Sequence, residues 1–103
     1  MGEFHKVANT SEILDGEVKE FVVDNISIAI CNRNNNFYAF RDECSHEAFP
    51  LSDGYLEDDN IICMYHGAEF DVKTGEALCL PAIEPIDVYD IKIDGDEILV
   101  KID

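Results

Sequence analysis

Residues 91–100, Ile91-Lys92-Ile93-Asp94-Gly95-Asp96-Glu97-Ile98-Leu99-Val100, carry the clearest structural signal in the chain. Apolar side chains recur at every second position on both sides of a short polar turn, the period of a strand rather than of a helix. The pattern extends to strands over Ile86–Ile93 and Glu97–Ile102. Val88, Ile91 and Ile93 are expected to face Ile98, Val100 and Ile102 across Asp94-Gly95-Asp96, a hairpin with one buried face. Working back toward the N-terminus, similar short segments are bounded by turn residues: Phe4–Ala8, Val18–Val23, Ile26–Cys31, Phe37–Arg41, Ile61–Cys63 and Ala68–Asp71. Thr10 to Leu14 suits one helical turn capped by Thr10 or Ser11. No segment has the length and 3.6-residue period of a long amphipathic helix. The fold class is all-β.

With 103 residues, no repeat and no linker, the chain is expected to form a single domain over 1–103. Seven Lys and Arg against 23 Asp and Glu give a net charge of −16. Such a field repels a phosphate backbone, so nucleic acid is not expected as a partner, whereas a basic protein surface is attracted and steered. The charge also favours a monomer. No run approaches the roughly 20 apolar residues of a membrane span, and Met1 to Thr10 lacks the pattern of a secretory signal. A cytoplasmic location is expected, and in a reducing compartment four cysteines favour metal ligation over disulfides.

Two stretches do not read as strands: Asp42 to Gly54, and the turn Tyr65-His66-Gly67. The first carries Cys44-Ser45-His46; the second follows Cys63 to make Cys63-Met64-Tyr65-His66, with sixteen residues between His46 and Cys63. Each loop offers one thiolate and one imidazole, ligands for zinc, copper or iron–sulfur centres. Structural zinc sites commonly pair two cysteines on a turn with two histidines on a helix, and no such helix is predicted here. Two loops each bearing Cys then His suit a binuclear centre in which both cysteines serve one iron and both histidines the other. A mononuclear zinc site remains open at this point. Cys31, in an apolar strand, and Cys79, between leucines, read as inert buried thiols. His5 stands alone near the terminus as a structural or solvated side chain.

Cys44-Ser45-His46 and Cys63-Met64-Tyr65-His66-Gly67 resemble the two ligand boxes of the Rieske [2Fe–2S] proteins. The resemblance continues through Leu51-Ser52-Asp53-Gly54, Phe70-Asp71, Lys73-Thr74-Gly75-Glu76 and Leu80-Pro81-Ala82, and covers most of the chain. It is strongest to the small ferredoxins that serve bacterial ring-hydroxylating oxygenases. The resemblance implies three stacked antiparallel sheets with one [2Fe–2S] cluster held by two loops at one tip. It also implies that Cys44 and Cys63 bind the inner iron and that His46 and His66 bind the outer one. Pro81 would lie in a third loop over the cluster, Tyr65 would pack the second loop, and Gly67 would either let backbone N–H groups approach a sulfide or serve as a turn residue.

The implied function is one-electron transfer from a ferredoxin reductase to a terminal oxygenase, with no substrate transformed by this chain. The readings set against it are a structural zinc module and a Rieske carrier for another oxidoreductase. A quinol-oxidising subunit would need an anchor helix and a disulfide between the loops. An oxygenase large subunit would need a second, mononuclear-iron domain.

High-potential Rieske proteins carry hydroxyl side chains after the second histidine that bond the cluster sulfurs. Ala68 and Phe70 stand in that stretch here and have none to give. Fewer such bonds leave the reduced form less stabilised. The midpoint potential is expected near the bottom of the range of about −150 to +300 mV that these centres span. Protein-film voltammetry reads it directly, and a midpoint well above zero would contradict this expectation.

Overall fold

A computed structural model describes residues 3–43, 50–64, 67–79 and 84–102. Ten strands run in chain order: β1 (Phe4–Asn9), β2 (Val18–Val23), β3 (Ile26–Arg33), β4 (Asn36–Arg41), β5 (Tyr55–Glu57), β6 (Asn60–Ile62), β7 (Glu69–Asp71), β8 (Ala77–Cys79), β9 (Val88–Asp94) and β10 (Glu97–Lys101). All pairings are antiparallel. β1, β10 and β9 form one ladder, β2, β3 and β4 a second, and β5 to β8 a third. β9 joins the first two through Ala39 opposite Tyr89 and Phe40 opposite Val88, giving one continuous sheet in the order β1-β10-β9-β4-β3-β2.

The hairpins follow from local chemistry. Asp24 and Asn25 connect β2 to β3, and Asn34 and Asn35 connect β3 to β4; all four have positive φ. A two-residue type I′ turn needs two successive positive φ values, and Asn and Asp tolerate them better than other side-chain-bearing residues. In the terminal hairpin Ile98 pairs with Ile93 and Val100 with Ile91, in the expected register, around Gly95-Asp96. Val88 is a correction. It lies one residue out of phase with Ile91 and Ile93, pairs with Phe40 on β4, and Tyr89 takes its place beside Ile91 in the core.

The strand pair β3–β4 separates two hydrophobic cores. Strand side chains alternate between faces. Ile28, Ile30 and Ala39 enter one core with Ala8, Ile13, Ile98 and Val100. Ala29, Cys31 and Phe40 enter the other, with Leu51, Ile61, Cys63, Ala68, Phe70, Val72 and Ile86. Five consecutive residues, Ile28 to Asn32, are therefore buried. Asn32 extends β3 beyond the expected Cys31 because its amide is satisfied on both sides. Its Nδ2 donates to Ile13 O at 2.9 Å, and its Oδ1 accepts from Asn35 N at 2.9 Å.

Other expectations shift. The helical turn is a 3₁₀ turn over Thr10–Glu12, and its cap is Asn9 rather than Thr10 or Ser11. The Glu12 carboxylate reaches back to accept the Asn9 N–H at 2.6 Å. β5 and β8 were not expected, and Ile86 is not part of a strand. It sits where Gly75, in a left-handed turn with φ +81, lets two backbones meet: Ile86 N donates to Gly75 O at 2.8 Å.

Phe40 is fully buried on the shared wall, whereas Val22 on β2 is 67% exposed. Replacing Phe40 by Ala should cost about 3–5 kcal/mol of stability. Val22→Ala should change it by no more than about 0.5 kcal/mol. Urea titration of the two variants checks this, and equal losses would mean that β3–β4 does not carry the cores.

Candidate metal centre

Of the four candidate ligands, Cys63 lies within the described residues. Cys44, His46 and His66 lie outside them, as do Tyr65 and Pro81. Among the described residues no group of three metal-ligating side chains occurs. The site is therefore built from Cys63 and from the anchors on either side of residues 44–49, 65–66 and 80–83.

Cys63 follows directly on β6, is 1% exposed and forms no disulfide. Its N–H donates to Ala68 O at 2.7 Å, and its carbonyl accepts the Gly67 N–H at 3.1 Å. These bonds close the chain from 63 to 68 into a tight loop between β6 and β7. Gly67 has φ +73, and a Cβ placed there would meet nothing within 4 Å. The positive φ fits the turn role.

The anchors of all three segments converge. Leu51, which follows residues 44–49 after Pro50, lies in the same core as Cys63, Ala68 and Ile86. These four residues flank all three segments. Gly54 N donates to Leu51 O at 2.9 Å. A Cβ on Gly54 would lie 1.9 Å from Ile62 O, so glycine is required for this turn to lie against the end of β6. On the other side, Arg41 N donates to Asp87 O at 2.9 Å, tying the exit of β4 to the chain after residues 80–83. A Cβ on Gly75 would lie 2.1 Å from Ile86 O.

Asp42 was not singled out by sequence reasoning, because a lone aspartate before a cysteine carries no pattern. It is 5% exposed, and its two carboxylate oxygens accept the Ser52 N–H and the Ser52 hydroxyl, each at 2.7 Å. Burial pushes its carboxyl up from the ordinary range, the Ser52 bonds oppose that shift, and the Glu20 carboxylate beside it adds to it. Cys31 is fully buried, and burial pushes its thiol up to about 12, which fits the inert role. The side chain of Cys79 lies outside the description. His5 is partly exposed, stands 3.5 Å from Asp24 and pairs opposite Val100.

A buried unbridged thiol at the base of a closed loop, with two further segments anchored around it, fits a cluster held by thiolate and imidazole donors. Ala68 and Phe70 are both fully buried in the core beside Cys63. Neither brings a hydroxyl there.

Comparisons with known proteins agree with this geometry. Residues 3–90 match the family model described as the Rieske [2Fe–2S] domain. The ferredoxin component of biphenyl 2,3-dioxygenase from Rhodococcus jostii RHA1 is 39% identical over 98 residues, covering 95% of this chain and 92% of that protein. The solved ferredoxin of carbazole 1,9a-dioxygenase from Nocardioides aromaticivorans IC177 superposes with a TM-score of 0.90 at 32% identity, over 94% of this chain and 95% of that one. A chain in a complex of reduced oxygenase and oxidized ferredoxin in carbazole 1,9a-dioxygenase superposes with a TM-score of 0.87 at 31% identity, over 94% of this chain and 91% of that one.

Gly54→Ala forces a Cβ onto a backbone carbonyl, whereas Gly67→Ala only strains φ, at about 1–3 kcal/mol. The Gly54 variant should lose more stability and retain less iron per chain than the Gly67 variant. Urea titration with iron analysis of the purified proteins checks the order.

Proposed function

The chain belongs to the Rieske [2Fe–2S] domain family and carries one such cluster, and from that premise we propose that Cys44, His46, Cys63 and His66 are its ligands. Cys44 and Cys63 hold one iron, and His46 and His66 the other. The observation that carries this assignment is the convergence of Leu51, Cys63, Ala68 and Ile86 in one core. That core draws the anchors of the ligand-bearing segments together. Iron–sulfur chemistry replaces the zinc reading.

The protein is an electron-transfer component and not itself a catalyst. When bound, the cluster supplies a centre that takes up and gives back a single electron. The chain's own residues do the rest. Ala68 and Phe70 line the core behind Cys63 with apolar surface, keeping water and hydroxyl donors away from that side. Backbone bonds from Cys63 to Gly67 and Ala68 fix Cys63 at the end of β6. Rigid support of this kind preserves ligand geometry.

The partners are a ferredoxin reductase that delivers the electron and a terminal oxygenase that receives it. Relatives serve biphenyl and carbazole dioxygenases, which supports an aromatic-ring-hydroxylating system. Both partners meet this chain through basic surfaces, as its net charge of −16 favours. Residues 1–103 act as one domain and one monomer, in the cytoplasm. Among the described residues no helix is long and apolar enough to cross a membrane.

Cys63→Ala should abolish the visible absorption, the iron and the acid-labile sulfide of the purified protein. Electron delivery from the wild-type protein to an oxygenase should slow as salt rises, because the Debye length shrinks from about 10 Å at 0.1 M to about 3 Å at 1 M. Retention of a full cluster by Cys63→Ala would overturn the ligand assignment. A salt-independent rate would overturn the basic docking surfaces.

A further inference from the structure

Residues 44–49 stand in sequence between Glu43, just after β4, and Pro50, so the position of any ligand they carry depends on how these two ends are held. One residue, Asp42, holds both, one through its backbone and the other through its side chain. The Asp42 N–H donates to Ser27 O at 3.1 Å, which fixes the outgoing end to the start of β3. The Asp42 carboxylate takes both donors of Ser52, N–H and hydroxyl, at 2.7 Å each, which fixes the returning end. Burial removes water that would otherwise compete for these bonds, and a carboxylate acceptor strengthens them. Behind Asp42 stands Glu20 on β2, whose carboxylate accepts the Ser27 hydroxyl. The support thus runs from Ser27 on β3 to Asp42, and through it to Ser52.

The returning end is itself fixed against the other ligand loop. Ser52 lies in the 3₁₀ turn Leu51–Asp53, which is buried through Leu51 and closed by Gly54 against Ile62, next to Cys63. Moving Ser52 relative to Asp42 therefore moves the chain after β4 relative to Ile62 and Cys63.

We propose that Asp42 is a positioning residue for the cluster: its two bonds to Ser52 tie together the chain on either side of residues 44–49, the segment whose sequence carries Cys44 and His46. The proposal rests on the ligand assignment made above. Ser52 is the second half of the same clamp, and Thr can replace it because Thr keeps both donors. Ala at position 52 keeps the N–H alone. Ala at position 42 loses both bonds.

The test uses the whole chain with its cluster. Wild type, Asp42→Ala, Ser52→Ala and Ser52→Thr are compared by the spin-resonance g values of the reduced protein, by midpoint potential, and by the rate of cluster loss to an iron chelator. Partners that orient metal ligands typically matter by 10- to 100-fold. Asp42→Ala should lose its cluster roughly 10- to 100-fold faster than wild type, with shifted g values and potential. Ser52→Ala should fall between, and Ser52→Thr should match wild type. Ile98→Val, in the core remote from Cys63, controls for general loss of stability and should leave the g values and potential unchanged. Should Asp42→Ala fail to fold, the Ser52 pair decides. Wild-type g values, potential and cluster lifetime in Ser52→Ala would overturn the clamp. If Cys63→Ala kept a full cluster, the ligand assignment would fail instead.

Discussion

The structure depends on a strand pair that is buried on both faces. β3 and β4 send alternate side chains into two separate cores, so each core uses the other's backbone as its wall. Strands buried on one side tolerate polar residues on the other, but here there is no solvent side over Ile28–Cys31, and the run reads as continuously apolar. Neither core is large. The first is sealed largely by β10 and by Ile13 just after the 3₁₀ turn, the second by the short strands β5 to β8 and the segments around them. A one-residue slip of β3 would exchange Ile28 and Ile30 for Ala29 and Cys31, overfilling one core and emptying the other. Register is therefore fixed from both sides at once, and the exit of β4 toward residues 44–49 is fixed with it.

That exit is where the core and the candidate site meet. The core containing Cys63 holds residues bordering all three undescribed segments, so the scaffold for the cluster is an extension of hydrophobic packing rather than a separate device. Glycine makes the close approaches possible. Gly54 and Gly75 bring backbones within distances that any side chain would forbid, while Gly67 supplies a turn conformation. Hydrogen bonds then fix what packing has brought near. Each typically adds only about 0.5–1.5 kcal/mol, but they specify direction, which apolar contacts do not.

Much of this was legible in the sequence where the signal is local. The alternation around Gly95 pointed to the pairing of Ile91 with Val100 and of Ile93 with Ile98, and the resemblance carried by the two Cys–His motifs pointed to the iron–sulfur family that residues 3–90 match. What escaped is set by tertiary contact. Tyr55–Glu57 and Ala77–Cys79 are three-residue strands, too short to display a period, and exist because β6 and β7 offer partners. Val88 looked in phase with the hairpin because it is apolar, but its face is dictated by Phe40 across from it. Asp42 was invisible because one aspartate before a cysteine carries no pattern. Its meaning comes from Ser52, ten residues later.

The charge balance completes the physical picture. Five of the seven cations, Lys6, Lys19, Arg33, Arg41 and Lys73, each stand within 4 Å of a carboxylate. Exposed pairs of this kind contribute at most about 1 kcal/mol apiece. They do little for stability, yet they consume most of the positive charge the chain has, so the field beyond the surface is set by the surplus acid. Self-repulsion of that surplus works against folding. For an electron-transfer component such a field is of use toward any partner that presents a basic surface, because long-range attraction speeds encounter without adding contacts that would slow release. The two cores, each closed on the shared β3–β4 wall, are what allow so small a chain to tolerate it.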